Sequence, residues 1–228
     1  MIVLVGSGKG GVGKTTIAVT IAAMSALAGK SVMLIDTDVQ ESASIWGSVR
    51  GDRGIQPQVI TMIKKGKLGY DLLQLRDKFD VIVVDAGGRD SLELRQAIAV
   101  ADKMLVPVRP SQFDTWAIGH MLTLFQEVQE KVDRLPETWF LLNAVSTNRQ
   151  VKEADELRAA LSEAGVDTLE TQLADRISYR RSVTEGRCVA ELSGNAADKN
   201  ALAEVRSLYK EIFGEEFTPA AVVEPAAA

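Results

Sequence analysis

The chain has 228 residues, of which 46% are hydrophobic and 25% charged, and its formal net charge is −5. Such a composition is typical of a globular protein with a sizeable core, and the acidic total argues against a strongly cationic nucleic-acid protein while allowing a local basic patch. The single cysteine, Cys188, excludes an internal disulfide and a cysteine-based metal site. No apolar run approaches the roughly 20 residues that cross a bilayer, and no signal peptide precedes the first strand, so we expect a cytoplasmic protein without membrane insertion.

The first predicted element is a buried strand over residues 2–5, and a glycine-rich segment follows it: Gly8-Lys9-Gly10-Gly11-Val12-Gly13-Lys14-Thr15-Thr16. This segment fits the phosphate-loop pattern G-x-x-x-x-G-K-[ST] at every fixed position, and the apolar spacing after it predicts a helix over residues 14–28. Glycines allow backbone N–H groups and the helix N-terminus to surround a phosphate. We therefore expect a nucleoside triphosphate here, with Lys14 on the β- and γ-phosphates, Thr15 on Mg²⁺ and Thr16 on the α-phosphate.

Two more predicted strands, over residues 31–36 and 79–85, end in the carboxylates Asp36 and Asp85. Ligands of doubly wound sheets bind at the carboxyl ends of the strands, so both acids are expected beside the phosphate loop. A carboxylate at the position of Asp85 reaches a Mg²⁺-bound water. The loop that follows, Ala86-Gly87-Gly88, is expected to sense the γ-phosphate through backbone N–H groups, with Gly87 at the nucleotide. For Asp36 and Asp38, two residues apart on an extended tip, an acidic turn without chemistry is the alternative.

The octapeptide K-G-G-V-G-K-T-T resembles the deviant phosphate loop of the ParA/MinD family of ATPases. The resemblance implies that Lys9 reaches the ATP of a second subunit, that Asp36 supports the Mg²⁺ shell and that Asp38 positions the attacking water. The family motif D-x-D-P-Q has Val39 in place of proline here, which loosens the turn but removes no chemical group. Trp46 also resembles a tryptophan of the small plasmid-partition members, although an ordinary core residue would fit equally well.

Periodicity and breaker residues predict the remaining elements. We expect helices over residues 41–49, 68–78, 91–101, 114–131, 150–164 and 195–213, strands over 59–62, 103–108, 138–143 and 167–173, and a loop over 50–58. The predicted N-caps are Ser91, Asp114 and Asn195, with Ser178 capping a short helix that stops at Gly186. Alternation of strands and helices predicts a doubly wound, mostly parallel α/β sheet with helices on both faces.

Two assignments outside the phosphate loop rest on the family resemblance. Asn143, at a predicted strand end, is expected to pair with the adenine edge, and a simple strand terminator is the alternative. Residues 176–187 gather four arginines against one glutamate, and the resemblance implies that they bind DNA without regard to sequence: Arg176, Arg180, Arg181 and Arg187. A solvated helix face is the alternative for this cluster.

The resemblance spans residues 1–217 as one ATPase domain, and the Pro/Ala-rich residues 218–228 are expected to be a disordered tail. It implies a short ParA-type ATPase without a helix-turn-helix domain, which hydrolyses ATP slowly with Mg²⁺. ATP would form a sandwich homodimer that binds nonspecific DNA on the nucleoid, and a ParB-like adaptor would stimulate hydrolysis to partition or position a cargo. The alternatives are a MinD-like division regulator, which needs a basic amphipathic tail, and a metabolic ligase of the dethiobiotin-synthetase type, which needs a substrate pocket.

Overall fold

A computed structural model describes residues 1–88, 90–110, 115–148 and 150–220, with the backbone alone for 115–117. Its strands are β1 (Ile2–Val5), β2 (Val32–Asp36), β3 (Ile60–Ile63), β4 (Val81–Asp85), β5 (Lys103–Val108), β6 (Glu137–Val145) and β7 (Leu173–Ala174). They form one sheet in the order β3-β2-β4-β1-β5-β6-β7, and all neighbouring strands are parallel. The predicted doubly wound parallel sheet is confirmed, and the phosphate loop leaves its central strand.

Helices cover both faces of the sheet. They are α1 (Lys14–Leu27), α2 (Ser42–Asp52), α3 (Leu68–Leu75), α4 (Leu92–Val100), α5 (Thr115–Gln129), α6 (Glu153–Glu163), α7 (Ile177–Thr184) and α8 (Lys199–Phe213). Alternate side chains of a strand point to opposite faces, so β1 contributes Val3 and Val5 to one core and Ile2 and Leu4 to the other. The first core contains residues of α1, α2, α7 and α8, and the second contains residues of α3, α4, α5 and α6.

The structure shortens several predicted elements, including the strand predicted over 167–173, which is only Leu173–Ala174. Two other predicted elements are longer than expected. Helix α2 continues to Asp52, so Arg50, which was assigned to a loop, is helical and fully buried. Strand β6 continues to Val145, two residues beyond Asn143. In both cases a distant residue binds the polar side chain: Glu191 pairs with Arg50, and the Val12 carbonyl accepts from Asn143.

The structure also tests the predicted caps. Ser91 caps α4 as predicted, since its hydroxyl accepts the Leu94 N–H. Helix α8 begins after Asp198, whose carboxylate accepts two backbone N–H groups, whereas the predicted cap Asn195 lies in a separate 3₁₀ turn. Ser178 caps nothing, because its hydroxyl donates to Asp198. The predicted cap Asp114 and residues 221–228 of the predicted tail lie outside the described residues.

Candidate functional site

The phosphate loop lies between β1 and α1, at the carboxyl end of the central strand. Gly11 and Gly13 have φ of 74° and 95°, a region that side chains rarely adopt. A Cβ at Gly13 would also lie 2.1 Å from the amide nitrogen of Asn143. The loop therefore requires glycine at this position for two reasons, conformation and space.

Lys14, the first residue of α1, is buried beneath this loop. Its ammonium group donates to the carbonyl of Lys9 at 2.8 Å. Burial lowers the pKa of Lys14, and the charges of Asp85 and Asp38 offset this only in part. No carboxylate among the described residues forms an ion pair with Lys14. A buried cation of this kind is complementary to an anionic ligand.

The pair of Thr15 and Asp85 is the place where a divalent cation would fit. The Thr15 hydroxyl donates to Asp85 Oδ2 at 2.7 Å, while the buried Oδ1 of Asp85 has no hydrogen-bond partner. The pKa of Asp85 is raised to about 7, chiefly by burial. The Thr15 hydroxyl and the charge of Lys14 oppose this rise in pKa, and the charges of Asp36 and Asp38 add to it. Hydroxyl and carboxylate oxygens are preferred Mg²⁺ ligands, so the unpaired buried oxygen and its hydroxyl neighbour suit this ion.

Asp36 has a structural role beside this site, because both of its carboxylate oxygens accept backbone hydrogen bonds. Its Oδ1 accepts the Asp38 N–H at 3.0 Å, and its Oδ2 accepts the Ser44 N–H of α2 at 2.9 Å. Burial raises the pKa of Asp36, and these backbone donors oppose the rise. Because β2 pairs with β4, Asp36 lies opposite Asp85 in the register. The carboxylate thus holds both the turn that carries Asp38 and the start of α2.

Asp38 lies on a second side of the loop, in the wall of a cleft of about 720 Å³ that Gly10, Gly87 and Lys65 also line. A Cβ at Gly87 would have ordinary contacts with Asp38, the nearest at 3.7 Å. A Cβ at Gly88 would lie 3.0 Å from the backbone of Gly10 and 3.1 Å from Lys14 Nζ. Of the two glycines in the loop predicted to sense the γ-phosphate, Gly88 is therefore the one that packs against the phosphate loop.

A smaller cleft of about 210 Å³ lies on the opposite side of the loop, beside Gly11, Gly13 and Thr16. Asn143 also lines it, and its amide nitrogen donates to the Val12 carbonyl at 2.7 Å. Asn143 therefore braces the phosphate loop, which leaves its amide oxygen as the atom that would meet a base. The predicted adenine contact is compatible with this position, and Asn143 would then have two roles: bracing the phosphate loop and contacting the base.

The four clustered arginines are not a uniform patch. Arg176 and Arg180 line the small cleft, and they form ion pairs with Glu204 and Asp175, each at 2.7 Å. Arg181 forms a longer pair, 3.4 Å, with Glu185 on the exposed face of α7. The backbone carbonyl of Arg187 accepts the indole N–H of Trp46. Trp46 itself is a core residue, one of the two predicted alternatives.

Arg109 is a further cation at this cleft, and the sequence analysis assigned it no role. It follows β5, which pairs with β1, so the sheet brings it to the phosphate loop. Its Nη1 donates to the Gly11 carbonyl at 3.3 Å, and its buried Nε has no acceptor. Two signals for it were present in the sequence. Arg109 directly follows a buried strand, and it lies in Pro107-Val108-Arg109-Pro110-Ser111, which resembles a P-V-x-P-S segment that borders the nucleotide and the dimer interface in the ParA/MinD family.

A glycine loop that encloses a buried lysine, beside a paired threonine and aspartate on a parallel sheet, defines a P-loop nucleotide-binding protein. Within this class, residues 3–189 match the family described as the CobQ/CobB/MinD/ParA nucleotide binding domain, and the chain belongs to that family. The resemblance seen in the phosphate loop is thereby confirmed.

Individual proteins of known name extend this comparison. The chain is 30% identical over 219 residues to Protein ParA of Rhizobium radiobacter, covering 92% of this chain and 97% of the relative. It is 31% identical over 224 residues to the maintenance of carboxysome distribution protein A of Gloeobacter kilaueensis, covering 92% and 93%. The fold resembles an ATP complex of a Cyanothece McdA variant with a TM-score of 0.76 at 15% identity, covering 98% of both chains. In the described part of the chain, no helix has the length and apolarity that crossing a membrane requires.

Proposed function

We propose that this chain is a Mg²⁺-dependent ATPase that partitions or positions a cargo on DNA. The observation that carries the proposal is the buried Lys14 beside an Asp85 oxygen without a partner, since both need a metal-bound polyphosphate to complete them. Two relatives that match over more than nine-tenths of this chain are Protein ParA and a maintenance of carboxysome distribution protein, and the second name describes the positioning of a cargo. The cargo of this chain would be a plasmid, a chromosome region or a protein complex.

Each residue of the site has a distinct role in this proposal. The loop backbone and Lys14 hold the phosphates, with Thr16 on the α-phosphate. Thr15 and Asp85 would hold Mg²⁺, which supplies positive charge that stabilises the phosphates as negative charge shifts toward the leaving group. Asp38, on the turn that Asp36 holds, orients the attacking water at the γ-phosphate side. Gly88 and Gly87 place their backbone beside the same phosphate.

The open γ-phosphate side supports a dimer as the active form. The cleft beside Asp38 and Gly10 is wide, about 720 Å³, and opens at the surface of one subunit. A second copy that docks there with ATP would enclose the γ-phosphate and bring its own Lys9 across the interface. Water exclusion by the partner then links hydrolysis to assembly, and an adaptor of the ParB kind would act by stimulating this step.

DNA binding by the dimer is the second part of the proposal. Arg180 and Arg181 are exposed, with 65% and 60% of their side-chain surface accessible. Their ion pairs are therefore weak, and DNA phosphates would compete for both guanidinium groups. Because the whole chain carries a charge of −5, one subunit offers few phosphate contacts and two subunits double them. Binding should require ATP, ignore sequence and weaken with salt, and it would place the protein on the nucleoid.

The ATPase and dimer roles are tested by comparing wild type with Asp38→Ala and Lys9→Ala. We expect D38A to bind ATP and accumulate as a dimer while its turnover falls at least a hundredfold, because only the water-orienting group is lost. K9A should bind ATP but stay monomeric on gel filtration. Parental hydrolysis by D38A would move the catalytic role elsewhere, and an intact ATP-dependent K9A dimer would remove the role of Lys9 across the interface.

The DNA role is tested with Arg181→Glu alone and with the double variant Arg180→Glu, Arg181→Glu. Arg180 lines the nucleotide cleft, so ATP affinity is measured for both, and the single variant separates DNA from nucleotide effects. Arg134→Glu, an exposed arginine before β6 at the other end of the sheet, is the matched control. We expect R181E to lose DNA binding and keep ATP-dependent dimerisation. Unchanged DNA binding by the double variant would place the DNA surface elsewhere.

One observation favours a second candidate, the metabolic ligase. The cleft beside Asp38, of about 720 Å³, is large enough for a small-molecule substrate. This function predicts ATP turnover that depends on such a substrate and needs neither DNA nor a dimer. Slow hydrolysis by the purified protein alone, increased by DNA and adaptor, would exclude it.

A further inference from the structure

Arg109 stands at the entrance of the smaller cleft with its guanidinium against the phosphate loop. Its Nη1 donates to the Gly11 carbonyl, a long bond of 3.3 Å, and its buried Nε lacks any acceptor. The cleft that it lines is bounded on the loop side by Gly11, Gly13 and Thr16. A planar cation with unused donors therefore faces the loop that the proposed function assigns to phosphates.

The charge balance of the cleft singles out this residue. Of its three arginines, Arg176 is neutralised by Glu204 and Arg180 by Asp175. Arg109 has no carboxylate partner among the described residues, so its charge is uncompensated within that part of the chain. A partly buried guanidinium without a counter-ion favours an anionic ligand, since arginine stays charged at any physiological pH.

The position on the loop decides which part of a nucleotide would supply that anion. The Lys14 ammonium group lies close to Gly88, which lines the cleft of Asp38 on the proposed γ-phosphate side. Arg109 instead shares a cleft with Thr16 and Asn143 on the opposite side of the loop. Because Asn143 is expected at the adenine, this side of the loop faces the nucleoside end of the ligand. The phosphate nearest the nucleoside is the α-phosphate.

We propose that Arg109 is a nucleotide-binding residue whose guanidinium binds the α-phosphate in the cleft that it shares with Thr16. This inference rests on the proposed ATPase function and adds a residue to its site. It predicts that Arg109 contributes to binding of ATP and ADP alike, because both carry an α-phosphate. It also predicts no role in dimerisation once nucleotide is bound.

The test measures ATP and ADP affinity by calorimetry for wild type, Arg109→Gln, Arg109→Lys and the surface control Arg134→Gln. We expect R109Q to weaken both nucleotides by the same factor, about tenfold or more, since a hydrogen bond to a charged group is lost. R109K, which retains the charge, should lose less, and R134Q should match wild type. The difference between wild type and R109Q should shrink as salt rises.

The outcomes separate this inference from the function on which it rests. If wild type binds no ATP, the proposed function fails. If wild type binds and R109Q binds both nucleotides within twofold of it, only the role of Arg109 fails. An equal loss in R109K and R109Q, or a loss for ATP alone, would also overturn the α-phosphate assignment. Circular dichroism and thermal melting confirm that each variant is folded before its affinity is compared.

Discussion

Asp85 and Lys14 are buried in the same site, and burial acts on them in opposite directions. It raises the pKa of the carboxyl to about 7 and lowers that of the ammonium group. In the unfolded chain the Asp85 carboxyl ionises near its ordinary pKa of 3.8. Between these two pKa values the folded state binds more protons, so this group makes the protein less stable as pH rises from about 4 to 7. Above pH 7 its cost is constant.

Asp85→Asn should therefore stabilise the ligand-free protein at pH 8 by about 1–3 kcal/mol, because it removes a buried charge and keeps an acceptor for Thr15. The gain should shrink as pH falls toward 4, because Asp85 of the folded wild type is then protonated and no buried charge remains to be removed. Urea unfolding in EDTA at the two pH values measures this, with the exposed Asp133→Asn as control. Equal or lower stability of D85N at pH 8 would contradict the assignment, and the variant should also lose Mg²⁺-dependent nucleotide binding.

Lys14→Ala should abolish measurable ATP binding, weakening it at least a hundredfold, since one buried cation serves two phosphates through several bonds. The folded state should survive, because Lys14 has no ion-pair partner among the described residues and donates only to the Lys9 carbonyl. Calorimetry with ATP and a thermal melt check both statements, with Lys131→Ala as a surface control. ATP affinity close to wild type in K14A would refute the phosphate-loop assignment.

At the scale of elements, the loop after β4 closely approaches the loop after β1. A Cβ at Gly88 would crowd the Gly10 backbone and the Lys14 ammonium group, whereas a Cβ at Gly87 would have ordinary contacts with Asp38. This close approach would let the β4 loop respond to the phosphates that the proposed function assigns to the phosphate loop. Two adjacent glycines thus have different tolerance for a side chain.

Gly88→Ala should lower ATP affinity and hydrolysis about tenfold or more, because its Cβ would displace Gly10 or Lys14 from the phosphates. Gly87→Ala is the matched control and should change affinity less than about twofold, since its Cβ has contacts at ordinary distances. Nucleotide titration and steady-state hydrolysis compare the two. A larger defect in G87A than in G88A would reverse the assignment of the loop.

At the scale of the whole molecule, a buried ion pair connects helix α2, beside the phosphate loop, to the chain that follows the arginine-rich residues 176–187. Arg50 on α2 is fully buried and bonds Glu191, 3% exposed, at 2.9 Å, and it also donates to the carbonyls of Pro57 and Gly186. Asp36, at the end of β2, accepts the Ser44 N–H in the first turn of α2. Asp36, α2 and the residues after α7 therefore form one connected body.

Glu191→Ala should destabilise the protein by about 3–5 kcal/mol, because it leaves a fully buried guanidinium uncompensated. The double variant Arg50→Met, Glu191→Leu should recover much of this loss, since neither charge then remains buried. Urea unfolding gives both values, and Glu185→Ala, which breaks the exposed pair with Arg181, should cost under about 1 kcal/mol. A loss below about 1 kcal/mol for E191A would show that water reaches Arg50.

The strand–loop–helix unit around Lys14 was predictable from sequence because all of its parts are contiguous, and burial of β1, β2 and β4 follows from their apolar runs. The rule that parallel strands end at one edge was enough to place Asp36 and Asp85 near that unit. Local order and a general topological rule thus determined the phosphate side of the site and the family.

Only the tertiary structure decided which distant residues complete the site. Asn143 meets Val12 across 131 positions of sequence, Arg109 meets Gly11 across 98, and Arg50 meets Glu191 across 141. Periodicity shows that a residue is buried or exposed but not which strand lies beside its own, and each of these contacts depends on the order of strands or on the return of the chain after α7. For the same reason residues 176–187 looked like one basic patch in the sequence, whereas the fold places Arg176 and Arg180 in the smaller cleft beside the phosphate loop.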